Sequence, residues 1–186
     1  MLELATRPDI QTRLYTELSQ GLRANYGAED LDRMPLLSAV LYETLRLYPP
    51  LGTLTNRRTT EPFLLGSDIF VPPGTLIGWH AYGVHTDPQV WGDNARQFDP
   101  DRWGKDPEAI HWMFRTQQAK GRYIPFGIYS RRCLGSAFAL TQLRVALCEL
   151  VRSFEWELPA DHVFSFSLAV LVAPDDCTLI LRKRAG

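Results

Sequence analysis

Cys133 has the most reactive setting in the chain. It lies in PFGIYSRRCLGSAFA, residues 125–139, with Arg131 and Arg132 just before it and Gly135 two residues after, at the mouth of an expected helix. A helix N-terminus offers partial positive charge and unpaired N–H donors. Neighbouring arginines add cationic charge, and settings of this kind favour a thiolate that can act as ligand or nucleophile. Gly135 keeps the backbone slim, so a large planar group can approach closely. Three roles fit these residues: an inert core thiol, a nucleophile, or an axial metal ligand. Inert buried cysteines are common. A nucleophile needs a base, and no histidine sits nearby in sequence, although sequence distance does not decide that question.

Two further constellations carry charge. Glu43 and Arg46, in ETLRLYPP, are spaced i and i+3 and so share one helix face. On the surface such a pair is worth a few tenths of a kcal/mol (roughly 0.3–0.5). Its helix is apolar nearly all round, however, and a buried pair must be fully hydrogen-bonded. The third constellation is FDPDRW, residues 98–103, where Arg102 stands beside Trp103 beyond a proline turn and is placed to join a charge network. Cys148 and Cys177 fall in a helix and in the tail and read as core. His80, His111 and His162 show no ligand spacing.

The elements that must hold these residues follow from periodicity. Residues 8–24 read as an amphipathic helix, with Pro8 in its first turn and Ile10, Leu14, Leu18 and Leu22 four apart. A second helix runs from Pro35 to Leu47 and stops at Pro49-Pro50. Strands are expected at Phe63–Leu65, Ile69–Val71 and Thr75–Trp79, separated by Gly66 and Pro72-Pro73-Gly74. Residues 84–104 read as turns and short helical pieces, and the polar stretch 105–123 as an exposed excursion. Ser136–Phe154 is the third strong helix, with the stripe Leu140, Leu143, Leu147, Leu150 and Phe154. The tail alternates from Phe164 to Val172, turns at Pro174-Asp175-Asp176 and returns as Cys177–Leu181, a hairpin.

Composition bounds the function. The 186 residues are 45% hydrophobic and 22% charged, enough to bury a core. A net charge of −1 gives no basic footprint for nucleic acid. Three scattered cysteines form no disulfide framework and no paired zinc site. No stretch of about 20 apolar residues could cross a bilayer, and the N-terminus is not a signal peptide, so a cytoplasmic location is expected. Glycine and proline are unevenly spread: 14 of the 26 fall between Pro49 and Gly104, a long irregular belt of the kind that is usually functional.

The three constellations, in this order, resemble the C-terminal part of a cytochrome P450, a haem-thiolate monooxygenase. Glu43 and Arg46 resemble the family's Glu-x-x-Arg helix, and Pro100-Asp101-Arg102-Trp103 is similar to its Pro-Glu-Arg-Phe segment. Phe126, Arg131, Cys133 and Gly135 match its haem signature, Phe-x-x-Gly-x-Arg-x-Cys-x-Gly. LATRPDIQTRLYTEL and AYGVHTDPQVWGDNARQFDPDRW extend the resemblance outward over nearly the whole chain. Tyr129 stands where the signature usually has Gly, which predicts a different backbone angle or a displaced loop. YSRRCLGSAFAL resembles a fungal branch that includes spore-wall dityrosine-forming enzymes.

The resemblance implies a mainly α fold with small β-sheets, the C-terminal part of a single P450 domain. Its parts are helices over 8–47, a strand and turn belt over 48–104, a meander and haem-cysteine loop over 105–135, and a helix and hairpin over 136–186. It implies haem b with Cys133 as the axial thiolate and Phe126 against the porphyrin. Arg131, with Arg57 or Arg58, would meet the haem propionates, and His85 is a further contact. Leu51–Thr55 and Leu171–Pro174 would line substrate, and Glu43, Arg46 and Arg102 would form a buried scaffold triad. The implied partners are a small-molecule substrate and NADPH-cytochrome P450 reductase, which basic residues such as Arg132 would help dock; full-length relatives sit at the endoplasmic reticulum membrane. Two functions follow. One is a monooxygenase of fungal secondary or spore-wall metabolism, using O2 and reductase-supplied electrons. The other is a non-catalytic truncated remnant or interaction module lacking the oxygen-activating helix. A cysteine-nucleophile enzyme would need neither the Glu-x-x-Arg nor the DPDRW motif.

Overall fold

The structure, a computed structural model, describes residues 1–163, 165–168 and 171–184, with backbone alone for 54–56 and 168. The expected start of the alternating tail, Phe164, and the side chains of Leu54 and Thr55 lie outside the described residues.

Helices carry the frame. A short α1 (Leu2–Ala5) leads into α2 (Pro8–Gly21), where Pro8 takes the first helical position and loses no helical hydrogen bond by lacking an N–H. The i+4 stripe is buried as its spacing predicts: Ile10, Leu14, Leu18 and Leu22 all face the core. Helix α2 ends at Gly21, short of residue 24, because Leu22 turns extended (φ −106°, ψ 132°) while keeping its side chain inside. After α3 (Ala28–Asp32) comes α4 (Pro35–Leu47), again opened by a proline and stopped before Pro49-Pro50. Two orphan N–H groups at its start, those of Leu36 and Leu37, donate to the Glu17 carboxylate of α2 at 2.8 and 2.9 Å. Burial raises the pKa of that carboxyl, and these two N–H donors hold it back.

Helix α4 is the central element. One side packs with α2 and α8 (Ser136–Ser153) around Leu14, Leu37, Val40, Leu41, Leu147 and Val151. The other packs into an aromatic cluster of Tyr42, Trp91, Trp103, Tyr123 and Phe114. There Trp103 meets Tyr42 and Tyr123 edge-on, at ring-centre distances of 5.4 and 4.9 Å. Arg144 of α8 joins the helices from within. It is nearly buried, pairs with Asp32 at 2.8 Å and donates to the Tyr42 hydroxyl at 2.9 Å.

The belt is built from two-stranded antiparallel sheets. Strand β1 (Thr53–Arg58) pairs with β4 (Leu76–His80), and the hairpin β2 (Phe63–Leu65) and β3 (Ile69–Val71) lies between them in sequence. Strand β1 was not expected from the sequence, because its run is polar and lacks a clean alternation. Short helices follow at α5 (Ala81–His85) and α6 (Pro88–Trp91), then a 3-10 turn at Pro100–Trp103.

Two sequence expectations change here. The stretch 105–123 is no exposed excursion, since it contains α7 (Pro107–Ala119), capped by Asp106, with Ile110 fully buried. The tail is not a hairpin of 164–172 with 177–181. Instead β6 (Phe166–Leu168) pairs with β7 (Val172–Pro174), while β8 (Ile180–Lys183) returns to β5 (Phe154–Glu157), directly after α8. Alternation predicts a strand but not its partner, and Trp156, 5% exposed on β5, draws that sheet onto the core. Among the described residues no helix is long and apolar enough to cross a membrane.

Candidate functional site

The Cys133 loop is held by main-chain bonds. The Cys133 N–H donates to the Phe126 carbonyl at 2.7 Å, closing residues 126–133 into a tight arch. Two left-handed residues make the arch possible: Gly127 at φ 71° and Tyr129 at φ 52°. The arch therefore closes with a tyrosine at 129, which itself adopts the left-handed conformation. Beyond the sulfur, the Ser136 N–H donates to the Cys133 carbonyl at 3.3 Å and α8 begins. A Cβ added at Gly135 would lie 4.0 Å from the Cys133 sulfur, so this glycine borders the thiol directly. Among the described residues, the amides of Leu134 and Gly135 make no backbone hydrogen bond. Cys133 is exposed.

The thiol opens into a cavity of about 590 Å³, within the usual range for small-molecule sites. Cys133, Phe126, Arg131 and Arg57 line it together, although they come from β1 and from the arch about 70 residues later. Arg58 goes elsewhere: adjacent strand residues point to opposite faces, and its guanidinium donates to the Gly74 carbonyl at 2.7 Å. Leu51 and Leu171 also line the cavity. They are brought together because the Val172 N–H donates to the Pro50 carbonyl at 2.9 Å, pinning the β6–β7 hairpin to the proline turn after α4. Pro174 lines a different cavity, near Tyr48 and Cys177. Trp79 on β4 belongs to the wall and was missed, although its place opposite Leu54 on the paired strand would have pointed to it once β1 was known.

His85 does not join this wall. It is fully buried, accepts the Ile124 N–H on Nε2 at 2.7 Å, and has Nδ1 2.9 Å from the Arg46 carbonyl. One nitrogen accepts, so the other carries the proton and donates, and the ring is neutral. Burial lowers its pKa to about 4. Both ring nitrogens are thus spent within the protein, and His85 has none left for the propionate contact expected of it.

Glu43, Arg46 and Arg102 form one buried network. Arg46 binds Glu43 in a fork, through Nε to Oε2 and Nη2 to Oε1, both at 2.8 Å. Arg102 Nε donates to Oε1 at 2.9 Å, the Asp99 N–H to the same oxygen at 2.9 Å, and the Trp103 indole to Oε2 at 3.0 Å. The arginines then spend their remaining donors on belt carbonyls: Arg46 on His85, Ala95 and Gln97, and Arg102 on Trp91 and Asn94. The surface-pair alternative is ruled out, since Glu43 and Arg46 are fully buried. This network binds the belt to α4, and α4 in turn packs against α8, which starts at the cysteine arch.

The donor set fits haem. It offers a soft sulfur ligand, the apolar and aromatic surfaces of Phe126, Leu51 and Trp79 for a porphyrin, and two guanidinium groups for its carboxylates. Among the described residues no group of three or more His, Cys, Asp or Glu side chains gathers around a possible metal.

Comparisons with known proteins agree with this geometry. The family model for cytochrome P450 matches residues 1–177. The chain is 44% identical over 154 residues to cytochrome P450 monooxygenase xanG of Aspergillus fumigatus, covering 83% of this chain and 29% of that protein. It is 41% identical over 150 residues to cytochrome P450-DIT2 of Saccharomyces cerevisiae, covering 80% and 29%. It is 32% identical over 185 residues to cytochrome P450 72A397 of Kalopanax septemlobus, covering 98% and 34%. The chain thus spans about a third of the length of these curated relatives. The crystal structure of the cytochrome P450DA heme domain superposes with a TM-score of 0.84 at 24% identity, covering 98% of this chain and 39% of that one.

Proposed function

The chain belongs to the cytochrome P450 family, and from that premise we propose that it forms the thiolate side of a haem monooxygenase site that oxidises a small organic substrate. The observation that carries the reading is one cavity lined by Cys133, Phe126, Arg57 and Arg131 together. When bound, haem with a thiolate ligand supplies the chemistry of O–O cleavage and oxygen transfer.

The chain's own part is to hold and shield. Cys133 would be the iron ligand, and the closed arch fixes where its sulfur sits. The amides of Leu134 and Gly135, next to that sulfur, would donate to it and moderate its electron donation. Arg57 and Arg131 would bind the carboxylates, with Phe126 packed against the ring. Leu51 and Leu171 would contact substrate. Electrons would come from NADPH-cytochrome P450 reductase, docked through exposed basic residues such as Arg132. The likeness to xanG and DIT2, together with the YSRRCLGSAFAL form, supports a fungal role in secondary or spore-wall metabolism.

The test is spectroscopic. The chain is titrated with haem, reduced and exposed to carbon monoxide. The expected result is the red-shifted Soret band of a thiolate complex, abolished in Cys133→Ala. A wild-type chain giving the same spectrum as Cys133→Ala overturns the reading.

A further inference from the structure

Tyr129 is, among the described residues, the non-glycine residue with a positive φ. The left-handed conformation crowds any Cβ and falls to glycine by default. Residues that hold it regardless cluster at ligand sites. Packing does not offset the strain, because the side chain is 78% exposed. The backbone requires the left-handed turn to bring the Cys133 N–H back to the Phe126 carbonyl, and glycine would make that turn at lower cost. What tyrosine adds is therefore its side chain, a flat apolar face ending in an O–H. That side chain belongs to a residue on the same cavity wall as Arg57, Arg131 and Cys133.

Resting on the reading of this cavity as a haem site, we propose that Tyr129 is a positioning residue for the cofactor, its phenol O–H donating a hydrogen bond to a carboxylate of the porphyrin edge. The chemistry suits the place. Arg57 and Arg131 already bring two positive charges for two carboxylates. A neutral donor adds direction to the grip without adding a third cation to the wall.

The full chain is compared with its Tyr129→Phe, Tyr129→Gly and Cys133→Ala variants. Affinity is read from Soret titrations with haem and with iron etioporphyrin, which carries alkyl groups in place of the carboxylates. Tyr129→Phe should bind haem about 3–10-fold more weakly, the worth of one hydrogen bond, and etioporphyrin as well as wild type does. Tyr129→Gly should lose haem affinity at least as far. Equal haem affinity in wild type and Tyr129→Phe overturns the proposal, as would arise if the ring served a protein partner instead. An equal penalty with both porphyrins also overturns it, since the ring would then only pack. If wild type shows no thiolate-type carbon monoxide spectrum beyond that of Cys133→Ala, the haem-site reading itself fails.

Discussion

Replacing Glu43 with glutamine changes one atom and tests the whole network. The carboxylate is fully buried and takes five donors, three on Oε1 and two on Oε2. A glutamine has a single carbonyl oxygen. Placed to keep the three-donor side, it sets its NH2 against Arg46 Nε and the Trp103 indole, so donors face donors. Placed the other way, it confronts Arg46 Nη2, Arg102 Nε and the Asp99 N–H. In either orientation two guanidinium groups, one fully buried and one with a 9% exposed side chain, lose their counter-charge. Removing one partner of a buried pair costs about 3–5 kcal/mol, a large share of the roughly 5–15 kcal/mol that holds a domain together. For a chain of this size that corresponds to a loss of roughly 6–20 °C in melting temperature. Urea unfolding followed by circular dichroism should show a lower midpoint at unchanged slope. A cost below about 1 kcal/mol would refute the reasoning, because the network would then be behaving like a surface pair.

Other outcomes follow from the same contacts. His85 titrates at about 4 in the folded chain against an ordinary 6.5. As pH falls the unfolded chain takes that proton first, so the stability from this group is whole above about 6.5 and drains away toward 4. The unfolding free energy from urea titrations should fall by about 2 kcal/mol between pH 7.5 and pH 5 through this group, and His85→Gln should flatten that part of the profile. Gly104 sits at φ 124°, and a Cβ there would lie 2.8 Å from the Ala109 Cβ. Gly104→Ala should therefore cost about 1–3 kcal/mol, visible as a lower thermal midpoint. Tyr129→Gly should raise the stability of the haem-free chain by about 0.5–1 kcal/mol, seen as a higher urea midpoint, and a lower midpoint would show the left-handed residue to be unstrained.

The helices were legible because their periodicity is local. Ile10, Leu14, Leu18 and Leu22 announce α2, and Pro35 and Pro49 bracket α4. The arch was legible as a motif, since Cys133, Arg131 and Gly135 stand within five residues. Partnership at long range was not. The buried Arg144 on a face expected to carry Leu143 depends on Asp32 and Tyr42, about a hundred residues earlier. Likewise β8 returns to β5 because Trp156 seeks the core, and His85 turns inward to serve Ile124 and Arg46. Such residues answer to neighbours that folding supplies. Alternation and composition describe a residue's own stretch of chain, so they leave the choice of neighbour open.

Arg46 and Arg102 reach mainly for carbonyl oxygens along the belt; among the described residues the belt side chains they touch are Asn94, Asp99 at 4.0 Å and the Trp91 ring, 5.1 Å from the Arg46 guanidinium. Every residue type carries a carbonyl, so this grip is blind to spelling. The exposed positions Asp93, Arg96 and Gln97 can be rewritten while the path of the strap stays the same. A protein lineage built this way can change the outer face of the strap, its charge and its texture, with the Cys133 arch left in place.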